Sequence, residues 1–141
     1  MPWWQVPLWV IGMVLTDHYV GGWIRRTGNN LFPSTVLGSY PQPSGWLYWL
    51  DTLLGIALVA YSEEVVFRRC ARQVFQPRLG DGWLLVLVTS LLFGAYHWWT
   101  GIGNMLEASL MGVLFMVFLQ RSGALWPVVL GHYLTDIADF A

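Results

Sequence analysis

The chain has 141 residues, of which 56% are hydrophobic and 11% are charged, and its formal net charge is −1. A soluble domain usually carries about 25% charged residues, so the composition excludes an ordinary soluble domain and favours an integral membrane protein. The charge balance offers no basic surface for nucleic acid, and we expect no nucleic-acid partner. The single cysteine excludes an internal disulfide.

Apolar runs along the chain predict an all-α fold, a polytopic transmembrane bundle of about five helices in one membrane domain, 1–141. They cover about 3–24, 46–75, 83–99, 104–120 and 125–141. The first run has no basic segment before it and no cleavage site after it, so we expect it to stay as a helix. The connection 25–45 is predicted to be an extended linker, because Gly28-Asn29-Asn30 and three prolines mark turns.

Arginines decide the predicted orientation, because cytoplasmic loops carry an excess of basic residues. The predicted helices put four on the side of the N-terminus and two on the other side: Arg69, Arg72, Arg78 and Arg121 against Arg25 and Arg26. We therefore expect the N-terminus to be cytoplasmic.

Ionisable side chains inside apolar runs are functional candidates, because each costs roughly 2.5–3.5 kcal/mol on insertion scales. Asp17 and His18 lie near the end of their run, where we expect water to reach them, and an interfacial or packing role is favoured. Glu107 lines a cavity or is neutral and hydrogen-bonded, and the second interpretation is favoured. The Ala108–Gly112 spacing predicts close helix packing.

Glu63, Glu64 and Arg68 form the densest charged group in an apolar run. Arg68 follows Glu64 by four residues, so these two share a helix face and can pair. Glu63 points about 100° away, and it has no local partner. It is therefore a candidate general base or acid. The alternative is one ion-pair group in which both glutamates neutralise Arg68.

Two of the three histidines, His97 and His132, lie on different predicted helices and favour a shared site. Asp136 follows His132 by one turn, so its carboxylate can hold one ring nitrogen. Phe93 precedes His97 by one turn and can shield a site from lipid. One glutamate with two histidines also matches the ligands of zinc, although the spacing is no known local zinc signature.

Three motifs in this order resemble the CPBP family of CAAX prenyl proteases and bacteriocin-processing enzymes, also called Abi-type intramembrane proteases. They are Glu63-Glu64-x-x-x-Arg68, Phe93-x-x-x-His97 and His132-x-x-x-Asp136. The run 121–127 is also similar to the family's sequence before the last histidine. The resemblance covers about 46–141, which we expect to be the catalytic core.

The resemblance implies an intramembrane endopeptidase of a prokaryotic plasma membrane. In it, Glu63 activates a water, His97 assists, and His132 with Asp136 binds the oxyanion. Supporting or substrate-binding roles fall to three further residues: Glu64, Arg68 and Phe93. The implied substrate is a peptide or a lipid-modified protein in the bilayer.

No cofactor is expected, because the glutamate-and-water scheme needs none; a divalent metal such as zinc at Glu63, His97 and His132 is the alternative. A non-catalytic membrane scaffold or bacteriocin-immunity-type protein is the second functional hypothesis. Proton-coupled transport is less favoured, since five helices are few. Rise along straight helices separates Glu63 and His97 by more than roughly 10 Å in depth, so helix tilt has to bring them together.

Overall fold

The computed structural model describes residues 1–140, and all regular structure within that range is helical. Five rods follow one another: α1 (5–31), α2 (46–79), α3 (Trp83–Tyr96), α4 (Ile102–Ser122) and α5 (Leu125–Phe140). Short 3₁₀ turns at Pro33–Thr35 and Trp98–Thr100 lie in the connections. The predicted all-α class is confirmed.

Two rods contain wider π-helical turns. In α1 the π-helical turn Asp17–Gly21 joins two α-helical parts, Gln5–Thr16 and Gly22–Leu31. In α2 the π-helical turns are Asp51–Gly55 and Val65–Ala71. They separate three α-helical parts: Trp46–Leu50, Ile56–Glu64 and Arg72–Leu79. Such insertions are frequent at functional sites, and here the longest one directly follows Glu64.

The first rod ends later than predicted. Gly28 and Asn29 were expected to lie in a linker that begins at residue 25, but α1 continues to Leu31. The physical reason is tertiary: Gly28 lets α1 approach α4 so closely that an ideal Cβ would lie 2.6 Å from Gly103 Cα. Asn29 Oδ1 also accepts a hydrogen bond of 2.8 Å from the Gly103 amide. These contacts outweigh the low helix propensity of glycine and asparagine.

The second rod also runs beyond its predicted end. It passes Pro77 and stops at Leu79, where Gly80 adopts a φ of 68°. Its end is fixed onto the start of α3, because Arg72 pairs with Asp81 at 2.8 Å. Gly80, rather than Pro77, therefore ends this rod.

Close packing joins α3 to α4. An ideal Cβ on Gly112 would lie 3.0 Å from Ser90 Cα, and one on Gly94 would overlap the Ser109 hydroxyl. Ala108, one turn before Gly112, is 4% exposed. The small-residue packing predicted from the Ala108–Gly112 spacing is thus confirmed.

Apolar side chains cover much of the outer surface of the bundle. The exposed ones on the rods include Leu8, Ile11, Leu15, Leu53, Leu58, Leu84 and Leu91. In the described part of the chain, α4 is the one helix long and apolar enough to cross a membrane, with 21 residues and a hydropathy of 1.8, and α3 is apolar but shorter. Length and hydropathy therefore support one span, and the polytopic arrangement stays a prediction.

Candidate functional site

A cavity of about 980 Å³ lies between the rods, and residues from all five rods line it. Its ionisable lining residues are Asp17, Arg25, Glu63, His97, Glu107, His132, Asp136 and Asp139. Four of them belong to the motifs singled out from the sequence. The cavity therefore brings the predicted site residues of α2, α3 and α5 to one space.

Glu64 is the central residue of the buried part of the site. It is 0% exposed, its Oε2 lies 3.1 Å from Arg68 Nε, and its Oε1 lies 2.8 Å from His132 Nδ1. The predicted Glu64–Arg68 pair is confirmed. Because an ionised carboxylate only accepts hydrogen bonds, Nδ1 of His132 carries a proton and donates it to Glu64.

The partner of the His132 ring differs from the one predicted. Asp136 was expected to hold a ring nitrogen, but its Oδ1 lies 3.6 Å from Nε2, beyond hydrogen-bond distance. Glu64 on α2 holds Nδ1 instead. Spacing along one helix cannot reveal a carboxylate that arrives from a neighbouring helix. The result is that Nε2 of His132 is directed toward Asp136 and Glu63.

Two phenylalanines contact both the Arg68 guanidinium and the His132 ring. The Arg68 guanidinium carbon lies 4.3 Å from the ring centre of Phe93 and 5.2 Å from that of Phe115. The His132 ring stacks on Phe115 at 4.7 Å and meets Phe93 edge-on at 5.8 Å. Among the described residues, no hydrogen-bond acceptor contacts Nη1 or Nη2 of Arg68; the aromatic faces stabilise this buried cation instead.

Phe115 was not singled out from the sequence. It is one of many apolar residues on α4, and only its contacts with His132 and Arg68 distinguish it. Phe93 was singled out to shield the site from lipid. It is 2% exposed and lies between Arg68 and His97, with its ring centre 5.0 Å from the His97 ring.

Glu63 faces the cavity. Its side chain is 12% exposed, and its Oε2 lies 3.7 Å from His132 Nε2. In the described range, Arg68 forms its ion pair with Glu64 and not with Glu63. The alternative of a single ion-pair group containing both glutamates is therefore wrong, and the carboxylate of Glu63 is available to a cavity ligand.

His97 follows the last residue of α3. Its Nδ1 lies 2.9 Å from the Phe93 carbonyl oxygen, so Nδ1 donates and Nε2 of the neutral ring is an acceptor. His97 lines the same cavity as Glu63, so helix packing brings both side chains to one space. In the described structure it is linked to His132 through Phe93 rather than by a hydrogen bond.

The connection after α1, which was predicted to be an extended linker, forms part of the cavity wall. Its residues 36, 38–42 line the cavity. The amides of Leu37 and Gly38 donate to the Trp99 carbonyl at 2.9 and 3.1 Å. The Tyr40 hydroxyl donates to the Asp51 carboxylate at 2.9 Å. Partial burial and this hydrogen bond raise the pKa of Tyr40.

A second group of acids lies in the cavity, and we call Asp17, Glu107 and Asp139 the distal acidic cluster. Asp17 is 2% exposed, so it does not lie at an exposed helix end as expected; packing of α1 against the other rods buries it. Glu107 lines the cavity and lies 3.8 Å from Arg25, which confirms the cavity-lining interpretation; the favoured interpretation, a neutral and hydrogen-bonded side chain, stays a prediction. Asp139 also pairs with Arg25.

The arrangement does not fit a metal ion. In residues 1–140 no three side chains of His, Cys, Asp or Glu are placed to hold one. Nδ1 of His97 is held by the Phe93 carbonyl, and Nδ1 of His132 is held by Glu64. What the site offers is a free carboxylate, an oriented histidine and a second histidine with an acceptor nitrogen.

A helical bundle whose internal cavity presents these groups has the components that activate a water for hydrolysis. Residues 45–138 match the family model described as type II CAAX prenyl endopeptidase Rce1-like. The match covers about two thirds of the chain, so the chain belongs to this family of membrane-embedded proteases, and the resemblance noted from the motifs is confirmed. No curated protein and no solved structure gives a significant match to the chain.

Proposed function

We propose that the protein is an intramembrane endopeptidase that hydrolyses a peptide bond in a membrane-bound peptide or a lipid-modified protein. The observation that carries this proposal is the pair of Glu63 and His132, whose Oε2 and Nε2 atoms lie 3.7 Å apart in the cavity. Glu64 orients His132 from the opposite side of the ring. Membership in the Rce1-like family supports the same reaction class.

We infer that the rods cross the membrane together and that the cavity lies within it. The exposed leucines of the outer surface support this, since they suit lipid, while buried charged groups such as Glu64 and Arg68 face the interior. A prokaryotic plasma membrane with a cytoplasmic N-terminus is part of the proposal. The arginine distribution along the sequence supports that orientation.

Hydrolysis begins with a water that contacts Glu63. The gap between Glu63 Oε2 and His132 Nε2 is wider than a direct hydrogen bond, which leaves both atoms able to contact the same reacting group. Glu63 takes one proton of the water as its oxygen attacks the carbonyl carbon. The acceptor nitrogen of His97 receives a hydrogen bond from the other O–H.

His132 stabilises the negative charge that develops on the carbonyl oxygen. With Nδ1–H held by Glu64, a protonated Nε2 donates to this oxyanion, as preorganised donors do in acyl-transfer enzymes. Asp136 contributes its negative charge 3.6 Å from Nε2, which favours the charged imidazolium. When the carbon–nitrogen bond breaks, the leaving amine receives the proton from Glu63, and the products are a carboxylic acid and an amine.

The decisive experiment compares Glu63→Gln with the wild-type protein in a peptide-cleavage assay. The substitution conserves volume but removes the proton acceptor, so we expect cleavage to fall by roughly 10²–10⁴-fold while expression and melting temperature stay close to wild type. Asp81→Asn is the control, because Asp81 is an acid that pairs with Arg72 outside the cavity. Full proteolysis by Glu63→Gln would exclude Glu63 as the base.

The same measurements distinguish the enzyme from a non-catalytic scaffold. In a scaffold, Glu63→Gln and His132→Ala would lower the melting temperature, and no turnover would exist to lose. We propose that no metal takes part, on the ground that the described donors do not form a ligand set.

A further inference from the structure

The distal acidic cluster contains more carboxyl groups than cationic groups. Three carboxylates meet one guanidinium, that of Arg25, which pairs with Asp139 and lies 3.8 Å from Glu107. Arg25 therefore pairs closely with Asp139 and only weakly with Glu107. Asp17 forms no ion pair within residues 1–140, so the three carboxyl groups share a single cation.

Asp17 is the residue that points to a ligand. It lines the cavity yet is 2% exposed, and among the described residues no amide, guanidinium or hydroxyl group donates a hydrogen bond to its Oδ1. A buried polar atom without a partner costs about 1–3 kcal/mol, and more when it is charged. Gly21 leaves space between the two acids, since an ideal Cβ there would lie 2.9 Å from Asp17 Oδ1 and 3.0 Å from Glu107 Cγ.

The distance between the distal acidic cluster and His132 can be estimated along α5. Asp139 follows His132 by seven residues on α5, which is roughly 10 Å along the helix axis. An extended peptide advances about 3.3 Å per residue. A substrate whose scissile bond lies at His132 therefore brings a residue about three positions away to the distal acidic cluster.

Resting on the peptidase function proposed above, we propose that the distal acidic cluster is a substrate subsite for a cationic group, the ammonium or guanidinium of a basic side chain about three residues from the scissile bond. The cation supplies the donor that Asp17 lacks and the positive charge that Arg25 does not provide. An acidic side chain at that position is rejected by the same carboxylates. The preferred substrates are basic peptides or proteins.

The test uses peptides in detergent micelles that are identical except at one position, two to four residues from the scissile bond on either side. That position carries lysine, its uncharged analogue norleucine, or glutamate. We expect kcat/KM for the lysine peptide to exceed that for the norleucine peptide by roughly tenfold or more at one position, as for a charge-assisted hydrogen bond. The glutamate peptide is the poorest substrate.

Two cavity variants and one control assign this preference to the cluster. Asp17→Asn and Glu107→Gln should each bring the lysine-to-norleucine ratio toward one, whereas Asp81→Asn removes an acid outside the cavity and should leave the ratio unchanged. Melting temperatures identify a variant that fails to fold. In that case the other variant alone tests whether the lysine preference depends on the distal acidic cluster. A ratio near one in the wild type, or a preference that both folded variants retain, would overturn the subsite.

Peptide binding separates this proposal from the proposed function. If no peptide is cleaved, the endopeptidase function fails, and binding of the same peptides to the wild-type protein decides the subsite alone. Tighter binding of the lysine peptide that Asp17→Asn abolishes supports it, and equal binding of all three peptides overturns it. Cleavage without charge preference overturns the subsite and leaves the peptidase function standing.

Discussion

Two adjacent glutamates should lose very different amounts of stability on the same substitution. Glu64 is completely buried and contacts both Arg68 and His132. Glu63 is 12% exposed in its side chain and faces the cavity. Replacing either by glutamine removes one negative charge and keeps the volume, so the two variants form a matched pair.

The expected loss of unfolding free energy depends on whether the substitution leaves a buried cation without its counter-charge. In Glu64→Gln, Arg68 loses its counter-charge while its side chain stays 1% exposed. Breaking a buried pair by removing one partner costs about 3–5 kcal/mol of unfolding free energy. In Glu63→Gln no buried cation is left unpaired in this way, and we expect a loss below about 1 kcal/mol. For a chain of this size the difference corresponds to a melting shift on the order of 10 °C.

Thermal unfolding in detergent, followed by tryptophan fluorescence, measures the difference directly. Cleavage activity should be lost in both variants, since Glu64→Gln also releases Nδ1 of His132. Adding Arg68→Met to Glu64→Gln should recover most of the lost stability, because replacing both partners of a buried pair by neutral groups is often tolerated. Melting temperatures of the two single variants within about 2 °C of each other would refute the buried ion pair.

Three further changes probe the packing, the lining segment and the cofactor proposal. Gly94→Ala should destabilise the protein by roughly 1–3 kcal/mol because its Cβ overlaps Ser109, whereas Gly12→Ala, with nothing within 4 Å, should be neutral or slightly stabilising in thermal unfolding. Tyr40→Phe removes the hydrogen bond to Asp51 and should speed proteolysis of the segment 36–42 without a change in global melting; unchanged proteolysis would contradict the role of this bond. Treatment with EDTA followed by gel filtration should leave cleavage unchanged, and activity restored only by added zinc would contradict a metal-free site.

Much of the site was accessible from local spacing. The i,i+4 relation predicted the Glu64–Arg68 pair correctly, because geometry within one helix depends only on its rise and turn. The hydrophobic runs likewise predicted five helical rods. The same i,i+4 spacing gave the wrong partner for His132, which is held by Glu64 from another rod rather than by Asp136 on its own rod. Such contacts depend on helix rotation and tilt, which spacing does not contain.

The end of α1 and the burial of a cavity residue also depend on tertiary contacts that local sequence preference does not predict. Gly28 and Asn29 have poor helix propensity, and only their contact with Gly103 explains why α1 continues through them. Asp17 reads locally as a residue at a helix end, and its burial follows from packing against α4. In both cases tertiary contacts outweigh local preference.

By itself the sequence determined the helical class, the resemblance to a protease family and the separation of Glu63 from the Glu64–Arg68 pair. These properties follow from composition, motif identity and the geometry of a single helix. Only the tertiary structure decided that Glu64 also orients His132, that Phe115 contacts this ring, and that a second acidic cluster lines the same cavity. Those relations join residues far apart in the chain, and packing between helices sets them.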